Sequence, residues 1–155
     1  MSVHLVNEQP MAVDADGLRA LAEAILAEEG YPESAEVTVA LLDEDELAVR
    51  NERHLGRSGP TDVLAFPVEA LRPGHVPETA PDGPPLMVGD VLIAPAYVRR
   101  QASESGEAFE REMALMVAHG ILHLLGYDHE EGADAERMEA RERELLAKAA
   151  AAQRR

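Results

Sequence analysis

The segment from Ala108 to Leu125 is predicted to be one long helix, and its second half, Leu115 to Leu125, carries apolar residues on nearly every face. A helix that is apolar all round is not stable on a protein surface, so it must be buried among other elements. The rest of the chain is therefore expected to fold around it. His119 and His123 interrupt its apolar surface, and we expect them at the edge of a packed core, where packing can fix their rotamers.

These two histidines have the spacing of metal ligands. Residues four apart on a helix lie on one face, about 5 to 6 Å apart at Cβ, so His119 and His123 can direct imidazole nitrogens at one point. Gly126 follows three residues after His123 and can adopt the left-handed conformation that ends a helix. The turn can then bring His129 back as a third ligand. The pattern predicts a metal site formed by His119, His123 and His129.

Three imidazoles predict a catalytic rather than a structural site. Neutral ligands leave a zinc ion its full charge, and three protein ligands leave one position for water, whose pKa such an ion lowers to about 7. A single histidine on an apolar helix is more often a hydrogen-bonded core residue than a ligand. The grouping of three in one short segment favours the metal.

The spacing also matches the zinc-protease pattern H-E-x-x-H-x-x-G-x-x-H, with one difference. In those proteases the glutamate after the first histidine is the general base, and here that position is Gly120. Glycine cannot accept a proton, so peptide hydrolysis by that route is disfavoured. Metal-assisted hydrolysis of another bond, such as a phosphodiester, stays open.

Three segments together resemble the YbeY family of bacterial endoribonucleases. They are the run Met116 to His129, the run Gly59 to Pro67 (GPTDVLAFP) and the run Gly89 to Ala94 (GDVLIA). The resemblance implies a zinc-dependent, single-strand-specific endoribonuclease with one Zn²⁺ per chain at His119, His123 and His129. It also implies a role in maturation of the 3′ end of 16S ribosomal RNA and in ribosome quality control, with the small ribosomal subunit and its assembly factors as partners.

The chain departs from the family at one position. Many members carry an arginine just before the glycine that corresponds to Gly56, and that arginine is held to matter for cleavage, whereas this chain has Leu55. Arg53 or Arg57 is the candidate to reach the same space and contact phosphate.

Metal-bound imidazoles usually donate their second N–H to a carboxylate or a carbonyl. Asp62, Asp90 and Asp128 are the candidate carboxylates. Each has a structural alternative: Asp62 at a strand end, Asp90 in a bulge and Asp128 in the turn.

Composition limits the class of protein. With 155 residues, 46% of them hydrophobic, the chain has the size of one domain, residues 1–155, and can bury a substantial core. No apolar run is long enough to span a bilayer and no secretion signal is evident, so we expect a soluble, cytoplasmic protein. The absence of cysteine excludes disulfides and thiolate metal sites.

The net charge of −16 argues against nonspecific nucleic-acid binding, which normally requires a basic surface. Much of the acid is concentrated in Glu28 to Glu46 and Glu130 to Glu144, which the sequence places away from the motifs. A local group of Arg50, Arg53 and Arg57 can still make one face attractive to phosphate.

Hydrophobic periodicity predicts an α+β domain in which helices cover a mixed sheet of about four strands. The predicted strands are Ser2 to Asn7, Glu36 to Leu42, Thr61 to Phe66 and Leu86 to Ala94. The first predicted helix is capped by Asp14 and closed by Gly30, and the second follows Asp43 and runs to about His54. The other predicted helices span Pro95 to Ser105, Ala108 to Leu125 and Asp134 to about Ala151. Residues 68–85 are rich in proline and glycine and predict an exposed loop, either a lid over the substrate or a tolerated surface insertion.

Two other functions are consistent with the sequence. One is a noncatalytic, metal-stabilised protein that binds the ribosome, which Leu55 and the acidic balance favour. The other is a metalloprotease-like hydrolase, which would have to act without a general base at Gly120.

Overall fold

The computed structural model describes residues 2–55, 62–80, 82–127 and 132–153. Within these ranges the chain forms four strands and five helices. In order they are β1 (Val3–Glu8), α1 (Ala15–Glu28), β2 (Glu36–Leu42), α2 (Glu44–Leu55), β3 (Val63–Pro67), β4 (Met87–Ile93), α3 (Pro95–Ser105), α4 (Phe109–Leu124) and α5 (Gly132–Gln153). The predicted α+β fold is confirmed.

The strands form one mixed sheet in the order β1-β2-β4-β3. β1 pairs parallel with β2 and β2 pairs parallel with β4, whereas β3 pairs antiparallel with β4. The central strands β2 and β4 carry valine, leucine and isoleucine, as expected for strands covered on both faces. The mixed character predicted from the sequence is therefore correct.

Helices cover both faces of the sheet. On one face, strand residues pack against α1, α4 and α5 in the larger core. On the other face, Leu92 of β4 packs in a smaller cluster with Leu47 of α2. Side chains alternate along a strand, so Val91 and Ile93 lie on the α4 face, in the larger core. α2 and α4 are therefore on opposite faces of the sheet.

α4 lies directly on β4 because Gly120 has no side chain. A Cβ atom at Gly120 would be 2.5 Å from Cγ1 of Val91, well inside contact distance. The neighbouring positions Ala118, Ile121 and Leu122 are fully buried. The expectation of a buried helix is confirmed, and the close approach at Gly120 sets the depth of α4 on the sheet.

Capping residues, glycines and hydrophobic periodicity predicted most helix and strand ends to within two residues. The bounds of β2 and α3 are as predicted, and the other elements differ by one or two residues at their ends. The Asp14 side chain accepts a hydrogen bond from the Gly17 N–H at 3.0 Å and caps α1. Gly106, with φ of 75°, ends α3 in the left-handed conformation.

The proline-rich segment 68–85 is only partly the exposed loop that its composition predicts. Residues 78–80 and 82–85 are exposed, but Leu71 and Val76 pack against the larger core. Arg72 and His75 form an isolated antiparallel bridge between them. The interpretation of the whole segment as an exposed excursion is therefore wrong for residues 71–76, because two apolar side chains hold this part against the domain.

Across the described ranges, the helices lack the combination of length and apolarity that crossing a bilayer requires.

Candidate metal centre

His119 and His123 lie on the last turns of α4, on the side that reaches the surface. Both are partly exposed, whereas the residues between them are buried or nearly so. One helical turn separates them, so their imidazoles share a face. The two histidines thus lie at the rim of the core, as the sequence predicts, with the sheet beneath them.

His119 is held by a carboxylate from another helix. Its Nδ1 atom lies 2.7 Å from Oε1 of Glu142 on α5. The side chains of His119 and Glu142 are 29% and 10% exposed. An ionised carboxylate only accepts hydrogen bonds, so Nδ1 of a neutral ring is the donor and Nε2 keeps its lone pair. That is the state in which an imidazole binds a metal through Nε2.

The ring of His123 is oriented by burial. Its Nδ1 atom is shielded from solvent although the residue as a whole is partly exposed. The Nδ1 edge of the ring therefore faces the protein interior.

The predicted third ligand, His129, lies outside the described residues, as do Asp128 and Arg57. Among residues 2–55, 62–80, 82–127 and 132–153, no group of three or more His, Cys, Asp or Glu residues is arranged to hold a metal. The described donors are two partly exposed imidazoles one turn apart, and a buried carboxylate fixes one of them. Such donors suit an ion that prefers nitrogen ligands, such as zinc.

The turn that leads towards His129 begins as predicted. Gly126 has φ of 101°, a conformation that favours glycine. A Cβ atom there would be 2.2 Å from the carbonyl oxygen of Leu71 and 2.9 Å from Cα of Arg72. Gly126 therefore also lets the segment 71–76 close over the turn. Arg72, which is exposed, lies beside Gly126.

Tyr127 fixes the chain at the end of this turn. Its hydroxyl donates to the Glu29 carboxylate, at 3.2 and 3.1 Å from the two oxygens, and Nε of Arg141 donates to Oε1 of Glu29 at 2.6 Å. Burial, and then the charge of Glu29, raises the pKa of the Tyr127 phenol. Glu29, Tyr127 and Arg141 thus tie together the end of α1, the turn and α5.

Neither of the described candidate aspartates is found to serve the histidines. Asp90 pairs with Phe66, which packs in the smaller cluster, so its side chain is on the sheet face opposite α4. This position argues against Asp90 as the partner of an imidazole on α4. The Asp62 carbonyl accepts from the Ala94 N–H at 3.0 Å and extends the pairing of β3 with β4, in line with its structural alternative.

Glu142 is the residue that the sequence interpretation missed. It lies in the acidic stretch Glu130 to Glu144, which the charge pattern placed away from the motifs, yet it is buried and contacts His119. The signal was present: Met138, Glu142 and Leu145 are spaced i, i+4 and i+7, so Glu142 shares the inward face of α5 with two buried apolar residues.

Two candidate phosphate contacts, Arg50 and Arg53, lie on α2. Nε of Arg50 donates to Glu46 at 3.1 Å, one turn away on the same helix. Arg53 is exposed on α2, which packs on the sheet face opposite α4. The Leu55 side chain lies outside the part that the structure describes. Two other arginines have described contacts at the turn after α4: Cα of Arg72 lies beside Gly126, and the Arg137 guanidinium lies 5.5 Å from the centre of the Tyr127 ring.

The Gly120 position bears directly on the protease alternative. The missing Cβ would point at Val91, towards the sheet. A side chain at this position would enter the core rather than the solvent-facing rim that His119 and His123 occupy. The fold therefore leaves no room at this position for the general base of a zinc protease.

A separate apolar groove of about 370 Å³ lies at the other end of α4. Leu18 of α1, Phe109 and Met113 of α4 and Leu146 of α5 line it. Neither His119 nor His123 is among its lining residues, so the groove is not part of the candidate metal centre.

Comparisons with known proteins identify relatives over nearly the whole chain. A family model described as Endoribonuclease YbeY matches residues 4–150. A protein of Acidothermus cellulolyticus named Endoribonuclease YbeY is 45% identical over 148 residues, which cover 94% of this chain and 90% of the relative. A protein of the same name from Salinispora tropica is 40% identical over 149 residues, covering 95% of each chain.

A solved structure is similar as well. The solution structure of TM1509 from Thermotoga maritima superposes with a TM-score of 0.65 at 29% identity, covering 98% of this chain and 91% of that one. The similarity extends over all the elements described above, including α5.

Proposed function

The chain belongs to the YbeY endoribonuclease family, and from that membership we propose that it is a zinc-dependent endoribonuclease that cleaves single-stranded RNA during ribosomal RNA maturation. The proposed substrate is the 3′ end of 16S ribosomal RNA, with ribosome quality control as a related role. The proposed partners are the small ribosomal subunit and its assembly factors, and the proposed compartment is the cytoplasm.

One observation supports this function most directly. His119 and His123 lie one turn apart at the rim of the core, and a buried carboxylate holds His119 through Nδ1 at 2.7 Å. An ordinary core histidine needs a hydrogen-bond partner, but it does not need a second imidazole on the same exposed face. The pairing is what a metal-binding helix requires.

In the proposed site, one Zn²⁺ per chain is held by His119, His123 and His129. When bound, the ion supplies Lewis acidity towards a phosphate oxygen of the RNA. The chain's own residues position the site: Glu142 fixes the ring of His119, and Tyr127 holds the start of the segment that carries His129. Gly120 leaves no side chain that could act as a general base between the two histidines.

Substrate binding has to overcome a net charge of −16. Arg72, beside the turn after α4, is proposed to contact a phosphate near the site, and Arg53 and Arg57 remain candidates for more distant contacts. With few such contacts, affinity for bulk RNA is expected to be weak, because nonspecific binding comes mainly from neutralised phosphates. Recognition then depends on an accessible single strand and on ribosomal partners.

The test uses purified full-length protein, first stripped with a chelator and then reloaded with Zn²⁺. The substrates are a labelled single-stranded RNA and the same strand in a duplex. We expect the zinc-loaded protein, but not the stripped protein, to cleave the single strand. We expect the His123→Ala variant to lose this cleavage. His4→Ala is the matched control, since His4 is an exposed histidine on β1.

Two outcomes would refute the proposal. One is a loaded wild-type protein that binds zinc but leaves RNA intact, both free and in small-subunit precursors. The other is cleavage at the wild-type rate in an equally pure preparation of His123→Ala, which would show that the activity does not depend on the proposed metal ligands. Casein digestion by the same preparation would instead support the protease alternative.

A further inference from the structure

Glu142 is the side chain outside the histidine motif whose geometry most directly concerns the metal centre. It lies on α5, 2.7 Å from Nδ1 of His119 on α4. The residue retains only 7% of its possible exposure, which is unusual for a glutamate. Within the described part of the chain, His119 is the hydrogen-bond partner found for its carboxylate.

Burial of this carboxylate is costly unless a donor compensates it. Met138 and Leu145, fully buried on the same face of α5, fix the position from which Glu142 extends. A glutamine or an apolar residue would fill this position at lower cost in desolvation. A glutamate at this buried position is explained if its carboxylate has a task at His119.

That task follows from the chemistry of imidazole. A neutral ring has one N–H and one lone pair, and the carboxylate requires the N–H at Nδ1. Nε2 then carries the lone pair and faces away from Glu142. A carboxylate on the far nitrogen also fixes the ring plane and raises the basicity of the ligating nitrogen.

We propose that Glu142 is a positioning residue for the metal centre, which selects the Nδ1–H tautomer of His119 and holds its Nε2 towards the ion, so that α5 is part of the site. This inference rests on the metal site of the proposed function, but it does not depend on what the protein cleaves. It predicts that metal affinity, and not only catalysis, depends on a residue that never touches the ion.

The first test measures zinc affinity by competition with a chromophoric chelator. We expect Glu142→Ala to weaken zinc binding by about 10- to 100-fold, the usual effect of losing such a partner. Glu142→Gln should recover part of this loss, because its amide oxygen still accepts from Nδ1. Glu139→Ala is the matched control: Glu139 is exposed on the same helix, and its loss should leave affinity unchanged.

A second test needs neither metal nor substrate. Long-range ¹H–¹⁵N correlation spectra of the zinc-free wild-type protein report which nitrogen of His119 carries the proton. We expect Nδ1–H in the wild type and a shift towards Nε2–H in Glu142→Ala. This measurement keeps the proposal testable if Glu142→Ala folds poorly, since the wild-type tautomer alone can contradict it.

The outcomes separate this inference from the proposed function. Wild-type zinc affinity in Glu142→Ala, or an Nε2–H tautomer in the zinc-free wild type, would overturn the role of Glu142 even if RNA is cleaved. Equal loss of stability in both zinc-free Glu142 variants, with unchanged zinc affinity, would show a merely structural ion pair and would also overturn it. Weakened zinc binding would support it even if no RNA is cleaved.

Discussion

Two pairs of a histidine with a glutamate are found among the described residues, and their surroundings differ. His4 on β1 lies 4.0 Å from Glu36 on β2, and the side chains are 58% and 33% exposed. His119 and Glu142 are 2.7 Å apart and largely buried. In both pairs the histidine and the glutamate lie on adjacent elements of the fold. The residue types alone therefore do not distinguish the two pairs.

The difference shows what turns such a pair into part of a site. An exposed pair is screened by water and held by little else, so it contributes about 0 to 1 kcal/mol and fixes no ring. The pair at α4 is fixed from both sides: Gly120 allows α4 to seat on Val91, and Arg141 ties α5 to Glu29. Packing of the two helices brings the two side chains within hydrogen-bond distance, and the carboxylate then holds the ring.

The largest predicted effect is on activity. His119→Ala should lower single-strand RNA cleavage by about 10³-fold or more, because several kcal/mol of transition-state stabilisation come from the metal that it helps to hold. His4→Ala should leave the rate unchanged. Initial rates on a labelled RNA, with zinc content measured for each variant, check this. Similar losses in the two variants would remove the functional distinction between the pairs.

The next effect concerns the seat of α4. Gly120→Ala places a Cβ 2.5 Å from Cγ1 of Val91 and should lower the free energy of unfolding by about 1 to 3 kcal/mol, as overpacking does. Chemical denaturation measures it. Val91→Ala should cost less in the Gly120→Ala background than in the wild type, since the two positions are in contact.

Gly132→Ala is the control for that experiment. Gly132 is also in a helix, but a Cβ there meets no atom of the described residues within 4 Å, so alanine should be neutral or slightly stabilising. If Gly120→Ala behaves like Gly132→Ala, the close approach of α4 to the sheet does not constrain the buried pair.

A smaller effect is expected where the turn meets α1 and α5. Tyr127→Phe removes the hydrogen bond to Glu29 and should cost about 1 kcal/mol of unfolding free energy at neutral pH. The pKa of Tyr127 is raised in the folded state, so this contribution is complete below the ordinary tyrosine value of 10.0 and is lost as pH rises through the folded value. In urea denaturation from pH 7 to 11, the unfolding free energies of wild type and variant should therefore converge at the alkaline end. A difference that stays constant with pH would contradict a stabilising hydrogen bond from the Tyr127 phenol to Glu29.

The smallest effect is on substrate binding. Arg72→Ala should raise KM for RNA a few-fold, leave kcat nearly unchanged and reduce the slope of log affinity against log salt by about 1, as loss of one phosphate contact does. Arg19→Ala is the control, because Arg19 is on α1 and paired with Asp16 at 3.0 Å. Equal salt slopes for the two variants would show that the neighbourhood of the turn does not contact RNA.

Sequence reasoning was most successful where the signal is local. The cap at Asp14, the glycine that ends α3 and the period of two along β2 each specify one element within a few residues. The burial of α4 also follows from its own composition. These features depend on neighbours in the chain, which the sequence displays directly.

Contacts between distant segments were harder to predict. The strand order and the face on which Asp90 lies depend on how β3 and β4 pair. Leu71 packs beside Gly126, although the two residues are far apart in the chain. Glu142 was the avoidable omission, because its spacing from Met138 and Leu145 already placed it inward. Its charge suggested a solvated surface, and helical phase would have been the better guide.

The contact between His119 and Glu142 has a consequence for protein engineering. A designer who grafts only the two-histidine helix onto another scaffold would transfer the ligands without the group that aligns one of them. The smallest unit that can be transferred is therefore a pair of packed helices. A search for comparable centres in other genomes gains specificity if it requires an acidic residue on the second helix as well as two histidines four apart on the first.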